Sequence, residues 1–185
     1  RRPNSNKIIG DRSYSSNPKN VSIIGKYCIK KFHQNGIATV IKHIPGHGLA
    51  KSDSHKKLPI VKQNIKKINK IDFYPFKKQS SFLAMTAHIL YKSIDNKYSA
   101  THSPKIIKII RNKIGFKNLI VTDDISMKAL KLNITQNTTQ AFKAGCNLVL
   151  HCNGNYKEMI AVAKNSPIVD KFIIKKTSQL TNIIR

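Results

Sequence analysis

The regular alternation of short β-branched runs with longer stretches of helical spacing constrains this chain more than any other feature. Residues 21–32 carry apolar side chains at helical spacing and stop before Asn35-Gly36, a pair that ends helices. Ile37-Ala38-Thr39-Val40-Ile41 reads as a buried strand. Gly46 and Gly48, followed by Ser52-Asp53-Ser54, mark a long loop. The spacing predicts a helix over 61–71 and a strand over 82–87. Ser103-Pro104 opens a helix that runs to about residue 113 and stops at Gly115. A strand over 119–122, a helix over 135–144 closed by Gly145, and a strand over 146–152 follow, with helix and tail beyond. Strands that alternate with helices in this way form parallel sheets, either open or closed into a barrel.

Polar residues fall just after the runs read as strands: Lys42 and His43, His88, Asp123 and Asp124, and Asn153. In a parallel barrel those positions line one mouth, where active sites of this architecture lie. Their convergence carries more weight than any single residue.

Composition sets outer bounds. The 185 residues, 40% of them hydrophobic, suffice for one domain with a core. No apolar run reaches the roughly 18 residues of a spanning helix, so no membrane association is expected. The opening Arg1-Arg2-Pro3-Asn4-Ser5-Asn6 has no apolar stretch of signal-peptide type, and without an initiator Met the chain is expected to be a fragment or a processed product. Cys28, Cys146 and Cys152 form no CxxC pair and no even-numbered framework. Buried free thiols near a strand, in a reducing cytoplasm, are expected. Thirty-four Lys and Arg against eight Asp and Glu give a formal charge of +26. Such a balance suits a polyanion binder, but the basic residues are dispersed, without a dominant cluster or interleaved aromatics. Ile, Lys and Asn are abundant throughout, as AT-rich coding produces. Compositional drift is the preferred reading, and no specific nucleic-acid partner is expected.

Two segments carry the chemistry. Lys42-His43-Ile44-Pro45-Gly46-His47-Gly48, with Asp53-Ser54-His55, gathers three histidines, a lysine and an aspartate within fourteen residues. The His43–His47 spacing suits a helical metal site, but Pro45 and the glycines argue against helix there and no zinc-type pattern is present. Asp53 and His55, one residue apart, suit a proton-transfer pair in which the carboxylate orients the imidazole and raises its basicity. In the second segment, Thr122-Asp123-Asp124-Ile125-Ser126-Met127, an acidic pair follows a β-branched run. Asp123 suits a nucleophile or general base. Asp124 suits an acidic cap at a helix N-terminus.

These segments resemble the signature of family 3 β-N-acetylglucosaminidases. Lys42-His43-Ile44-Pro45-Gly46-His47-Gly48 with Asp53-Ser54-His55-Lys56-Lys57-Leu58-Pro59 is the most specific block. Met85-Thr86-Ala87-His88-Ile89 and Thr122-Asp123-Asp124-Ile125-Ser126-Met127 are similar to two more. Ile9-Gly10-Asp11-Arg12-Ser13-Tyr14 and Ala144-Gly145-Cys146-Asn147-Leu148-Val149-Leu150 are similar to a fourth and a fifth, in the family's order and spacing.

The resemblance implies a (β/α)₈ TIM-type barrel, here as a single catalytic-domain segment over 1–185. It implies sugar-binding roles for Arg12, Lys42 and His43. It also implies His55 as general acid/base with Asp53 as its partner, and Asp123 as the nucleophile of a covalent glycosyl-enzyme. The expected activity is retaining exo-hydrolysis of terminal non-reducing N-acetylglucosamine. The expected substrate is a peptidoglycan-derived muropeptide, as in the bacterial cytoplasmic branch that recycles cell wall and bears on cell shape and division. No metal or organic cofactor is implied, and a monomer is expected.

A full barrel typically needs about 250 residues. This chain offers four clear strands, five with Lys7-Ile8-Ile9, so the barrel is expected to be incomplete, with about its last four to five β/α units present. The alternative is a catalytically inactive truncated remnant that binds sugars or polyanions weakly. On either reading the 185 residues alone are not expected to be stable or active.

Overall fold

In a computed structural model, the described residues are 10, 13–52 and 57–182. The first helix, α1 (Pro18–Gln34), starts earlier than the apolar spacing suggests. Asn17 caps it by accepting from the Lys19 N–H at 2.9 Å, and Pro18 occupies the first turn. Its far end takes Ile37 out of the expected strand. The Gly36 N–H donates to His33 O and the Ile37 N–H to Phe32 O, around Gly36 at φ +71°. This pattern is a Schellman closure, which needs a left-handed residue at the position of Gly36. Ile37 is left 50% exposed, and the strand β1 (Val40–Ile44) begins three residues later than expected.

A two-residue strand, β2 (Ile60–Val61), takes up the start of the segment expected to be a helix over 61–71. The helix α2 (Ile65–Ile68) begins only after Asn64, whose side chain accepts from the Lys67 N–H. It continues as a π turn over Asn69–Phe73 and a 3₁₀ turn over Tyr74–Phe76. Next come β3 (Leu83–Thr86) and the short β4 (Leu90–Tyr91). Helix α3 (Pro104–Ile109) is capped by Ser103 and extended by a π turn to Ile114, where Gly115 adopts φ +84°. Strand β5 (Leu119–Asp124) runs two residues beyond its expected end. Helix α4 (Ile134–Ala144) has a capping box made by Asn133 and Gln136. Strand β6 (Leu148–Leu150), α5 (Tyr156–Lys164) and α6 (Lys171–Thr181) complete the order.

The main sheet has the order β1-β3-β5-β6, every pair parallel. Neighbours in space follow chain order, each reached through a helical crossover, which is the winding of a TIM-type barrel. The sheet is open among the described residues, with β1 and β6 at its edges. The expected strand at 7–9 lies outside the described residues. Strands β2 and β4 pair with each other, an addition that two-residue runs cannot announce in a sequence.

Paired residues share a sheet face. Ile41, Ala84 and Ile120 form one row. Ala84 and Ile120 are fully buried in the core with Ile106, Ile107 and Ile110 of the α3 region and with Ala141 and Ala144 of α4. The dry core therefore lies between the sheet and its helices. The opposite face carries the row Lys42, Met85, Val121 and Leu148, which corresponds to the barrel interior.

Candidate active site

The polar residues read from the sequence gather at the C-terminal ends of the strands, but Lys42, His43, Asp123 and Asp124 lie within β1 and β5 rather than after them. Lys42 pairs with Met85 and Ile44 with Thr86, so His43 is an extra residue opposite nothing in β3. The peptides Lys42–His43 and Ile44–Pro45 are cis. Strands two places apart are separated by about 10 Å, yet side chains from β1 and β5 meet at the mouth. His43 Nε2 lies 3.4 Å from Asp123 Oδ2, with the two side chains 26% and 20% exposed. Burial pushes the His43 pKa down to about 4, with His47, Lys42 and His88 also lowering it and Asp123 opposing. The imidazole is therefore neutral at pH 7, and its contact with Asp123 is a polar contact rather than an ion pair.

The two adjacent aspartates differ in what they touch. Asp124 accepts from the Ser126 N–H at 3.0 Å, the Ser126 hydroxyl at 2.7 Å and the Cys152 N–H at 3.1 Å. Burial acts to raise its pKa, but these hydrogen bonds and the charge of His151 prevail and lower it. Asp124 thus ties the end of β5 to Cys152, two residues beyond β6. It caps no helix, because the next helix begins only at Ile134, so the helix-cap expectation is corrected to a turn-and-strand tie. Asp123 accepts one N–H, that of Asp124, on Oδ1 at 2.9 Å, and turns Oδ2 toward His43.

The loop after β1 is anchored from below by residues that sequence reasoning missed. Tyr91 in β4 donates to Gly46 O at 2.8 Å and lies 3.0 Å from Asp72 Oδ2, and Asp72 Oδ1 accepts from the Leu49 N–H at 3.0 Å. Gly46 has φ +145°, and a Cβ there would sit 2.5 Å from Asp72 Cβ. The one available signal was Asp72 itself, an acid between Ile71 and Phe73 in a chain with eight acids. His47 stands edge-on to His43 with ring centroids 6.3 Å apart. Among the described residues no group of three or more His, Cys, Asp or Glu is arranged to hold a metal ion.

Arg12, Asp53 and His55 lie outside the described residues. Lys42 is exposed on the barrel-interior face, close enough that its charge disfavours the His43 imidazolium. Asn153 is engaged with the start of α5, donating to Glu158 at 2.7 Å and accepting from the Asn155 N–H at 2.8 Å. Asn147 accepts from the Ile120 N–H and from Arg111, bracing the lower end of the sheet. Cys146 is buried, its thiol pushed up to about 12, whereas Cys152 is exposed, against the expectation of a buried thiol. No helix among the described residues is long and apolar enough to cross a membrane.

The model of the glycosyl hydrolase family 3 N-terminal domain matches residues 1–183. A β-hexosaminidase of Nitrosomonas eutropha is 35% identical over 151 residues, covering 79% of this chain and 43% of that protein. One from Photobacterium profundum is 30% identical over 187 residues, covering 97% and 56%. The chain thus spans about half the length of the curated relatives it matches. Among solved structures, native NagZ from Neisseria gonorrhoeae superposes with a TM-score of 0.83 at 27% identity, covering 95% of this chain and 52% of that one. A family 3 β-N-acetylglucosaminidase from a Paenibacillus species gives 0.82 at 28% identity, covering 97% and 37%. The sheet winding, the mouth built from β1 and β5, and these matches together place the chain in glycosyl hydrolase family 3, with the TIM-barrel-type α/β fold of its N-terminal domain.

Proposed function

We propose that the chain is the catalytic-domain segment of a retaining exo-β-N-acetylhexosaminidase that releases terminal N-acetylglucosamine from peptidoglycan-derived muropeptides in the bacterial cytoplasm, acting as a monomer. The observation that carries this reading is the Asp123–His43 contact at the mouth of a family 3 sheet. Retaining glycosidases commonly use two carboxylates about 5 Å apart. Here Asp124 is fully engaged in holding the turn, which leaves Asp123 as the carboxylate for attack on the anomeric carbon. Proton donation to the leaving group then falls to another kind of residue.

His43 is a poor candidate for that donor, since burial lowers its pKa to about 4 and leaves the ring largely unprotonated at pH 7. A neutral imidazole suits hydrogen bonding to a sugar hydroxyl, and Lys42 and Arg12 are assigned to sugar binding with it. The acid/base role is assigned to His55, with Asp53 as its partner, both in the stretch of sequence that follows the segment pinned at Gly46 and Leu49.

The test is turnover of an aryl β-N-acetylglucosaminide and of a disaccharide muropeptide by the intact protein, with the anomer of the first-formed sugar read by NMR. The β-anomer and loss of turnover in Asp123→Ala are expected. Equal activity of wild type and Asp123→Ala would remove the nucleophile assignment. Wild-type protein that binds N-acetylglucosamine but turns over neither substrate would favour the inactive remnant.

A further inference from the structure

His88 follows β3 and is 1% exposed. Its Nε2 lies 2.9 Å from the backbone oxygen of Asp124. A carbonyl only accepts, so Nε2 carries the proton and donates it. In a neutral ring Nδ1 then accepts, and the Thr101 hydroxyl stands 2.7 Å away to donate. The Thr101 oxygen can in turn accept from Thr86 Oγ1 at 2.8 Å. The other acceptor open to Thr101, Ala87 O, is more distant at 3.3 Å. With a neutral ring the hydrogens run one way, from Thr86 through Thr101 and His88 to the Asp124 carbonyl. Thr86 and Thr101 are fully buried.

This chain ends at the residue next to Asp123. The peptide joining Asp124 to Ile125 is held at both ends, its carbonyl by His88 and its N–H by Leu150 O at 2.9 Å. The Asp124 side chain is held by Ser126 and Cys152. The remaining group of Asp124, its own N–H, is aimed at Asp123 Oδ1 at 2.9 Å, and Oδ2 is left facing His43.

We propose that His88 is a positioning residue that acts through the Asp124 main chain to orient the Asp123 carboxylate for attack. This rests on the assignment of Asp123 as nucleophile. His88 does not touch the reacting atoms. It fixes the Asp124 backbone, and the Asp124 N–H fixes which carboxylate oxygen points into the mouth. Misplacing a reacting group by about 1 Å can slow a reaction by roughly 10²-fold.

The test uses the intact protein and an aryl β-N-acetylglucosaminide, with kcat/KM reporting the step in which Asp123 attacks and competitive inhibition by N-acetylglucosamine reporting binding. His88→Leu removes the donor. It is expected to lower kcat/KM by about 10- to 100-fold while inhibition by N-acetylglucosamine changes less than about twofold. His88→Gln, which keeps an N–H able to reach the Asp124 carbonyl, is expected to recover most of the loss. Unchanged kcat/KM in His88→Leu overturns the proposal. So does a parallel loss of kcat/KM and sugar binding that His88→Gln fails to recover, which is the mark of a merely structural role. If His88→Leu does not fold, Thr101→Val replaces it. That variant removes the donor to Nδ1 at nearly constant volume, and unchanged kcat/KM in it also overturns the proposal. Asp123→Ala is measured alongside. Full turnover there sinks the nucleophile assignment, and this proposal with it, separately from any result at His88.

Discussion

Acid should destabilise this protein well above the pH at which carboxylates titrate, and His102 is where that effect can be isolated. His102 sits between β4 and α3, is 4% exposed, and has a buried Nε2 with no hydrogen-bond partner among the described residues. Burial, and next the neighbouring His88, push its pKa down to about 4, against a weaker opposing hydrogen bond to the Asn137 backbone. In the unfolded chain the ordinary value is about 6.5. Between those values the unfolded chain binds the proton and the folded chain does not, so folding is progressively disfavoured as pH falls. The contribution of the neutral buried ring is complete above about pH 6.5 and is lost as pH falls toward 4. The full difference corresponds to ~3 kcal/mol, and the part lost between pH 6.5 and 5 to ~2 kcal/mol. For a chain of this length that is a fall in Tm of about 4–8 °C. His43, with its pKa also near 4, titrates in the same window, so the wild-type slope is a sum. The assay is thermal or urea unfolding of wild type and His102→Gln at half-unit steps from pH 7.5 to 5 (roughly the range in which the slope of stability with pH reports histidine protonation). The variant is expected to lose stability with falling pH less steeply by about the amount given. Parallel pH profiles for the two proteins would refute the reasoning.

Gly46→Ala is expected to lower both Tm and turnover, because its Cβ would meet Asp72 backbone and Cβ atoms at 2.5–2.7 Å and its φ of +145° disfavours any L side chain. A cost of about 2–3 kcal/mol is read by urea unfolding, and unchanged stability would show that the Asp72 segment moves freely. His55→Ala should slow aryl glycosides with poor leaving groups by roughly 10²-fold or more and activated ones less, since general-acid help matters most where the leaving group is basic. Equal losses across a leaving-group series would remove the acid/base role. Binding to DNA should be weak, sequence-indifferent and steeply salt-dependent if the +26 charge is drift. Sequence-selective binding at physiological salt, read by fluorescence anisotropy, would contradict that.

Much of the architecture was legible because it is written in local signals. Ser103-Pro104, Gly115 and Gly145 each solve a helix-end problem with their own side chain or left-handed φ, and the helices begin or end within a few residues of where these signals stand. The apolar run at β3 and the β-branched run at β5 announced parallel strands for the same local reason. Lys42, His43 and Asp123 were visible as candidates because several polar residues converge at the ends of such runs, where one barrel mouth lies. The register of β1 was not local. Ile37 looks like a strand residue, but its N–H is claimed by Phe32 O at the end of α1, and only pairing with β3 decides where the strand begins. The strands β2 and β4 are stable only against each other, and no two-residue window encodes that. Tertiary structure alone distinguished Asp123 from Asp124. The two are adjacent and chemically alike, but Ser126 and the Cys152 N–H from beyond β6 close around one and leave an oxygen of the other facing His43. The same holds for His88, to whose two nitrogens Thr101 and the Asp124 carbonyl are brought from different strands and loops.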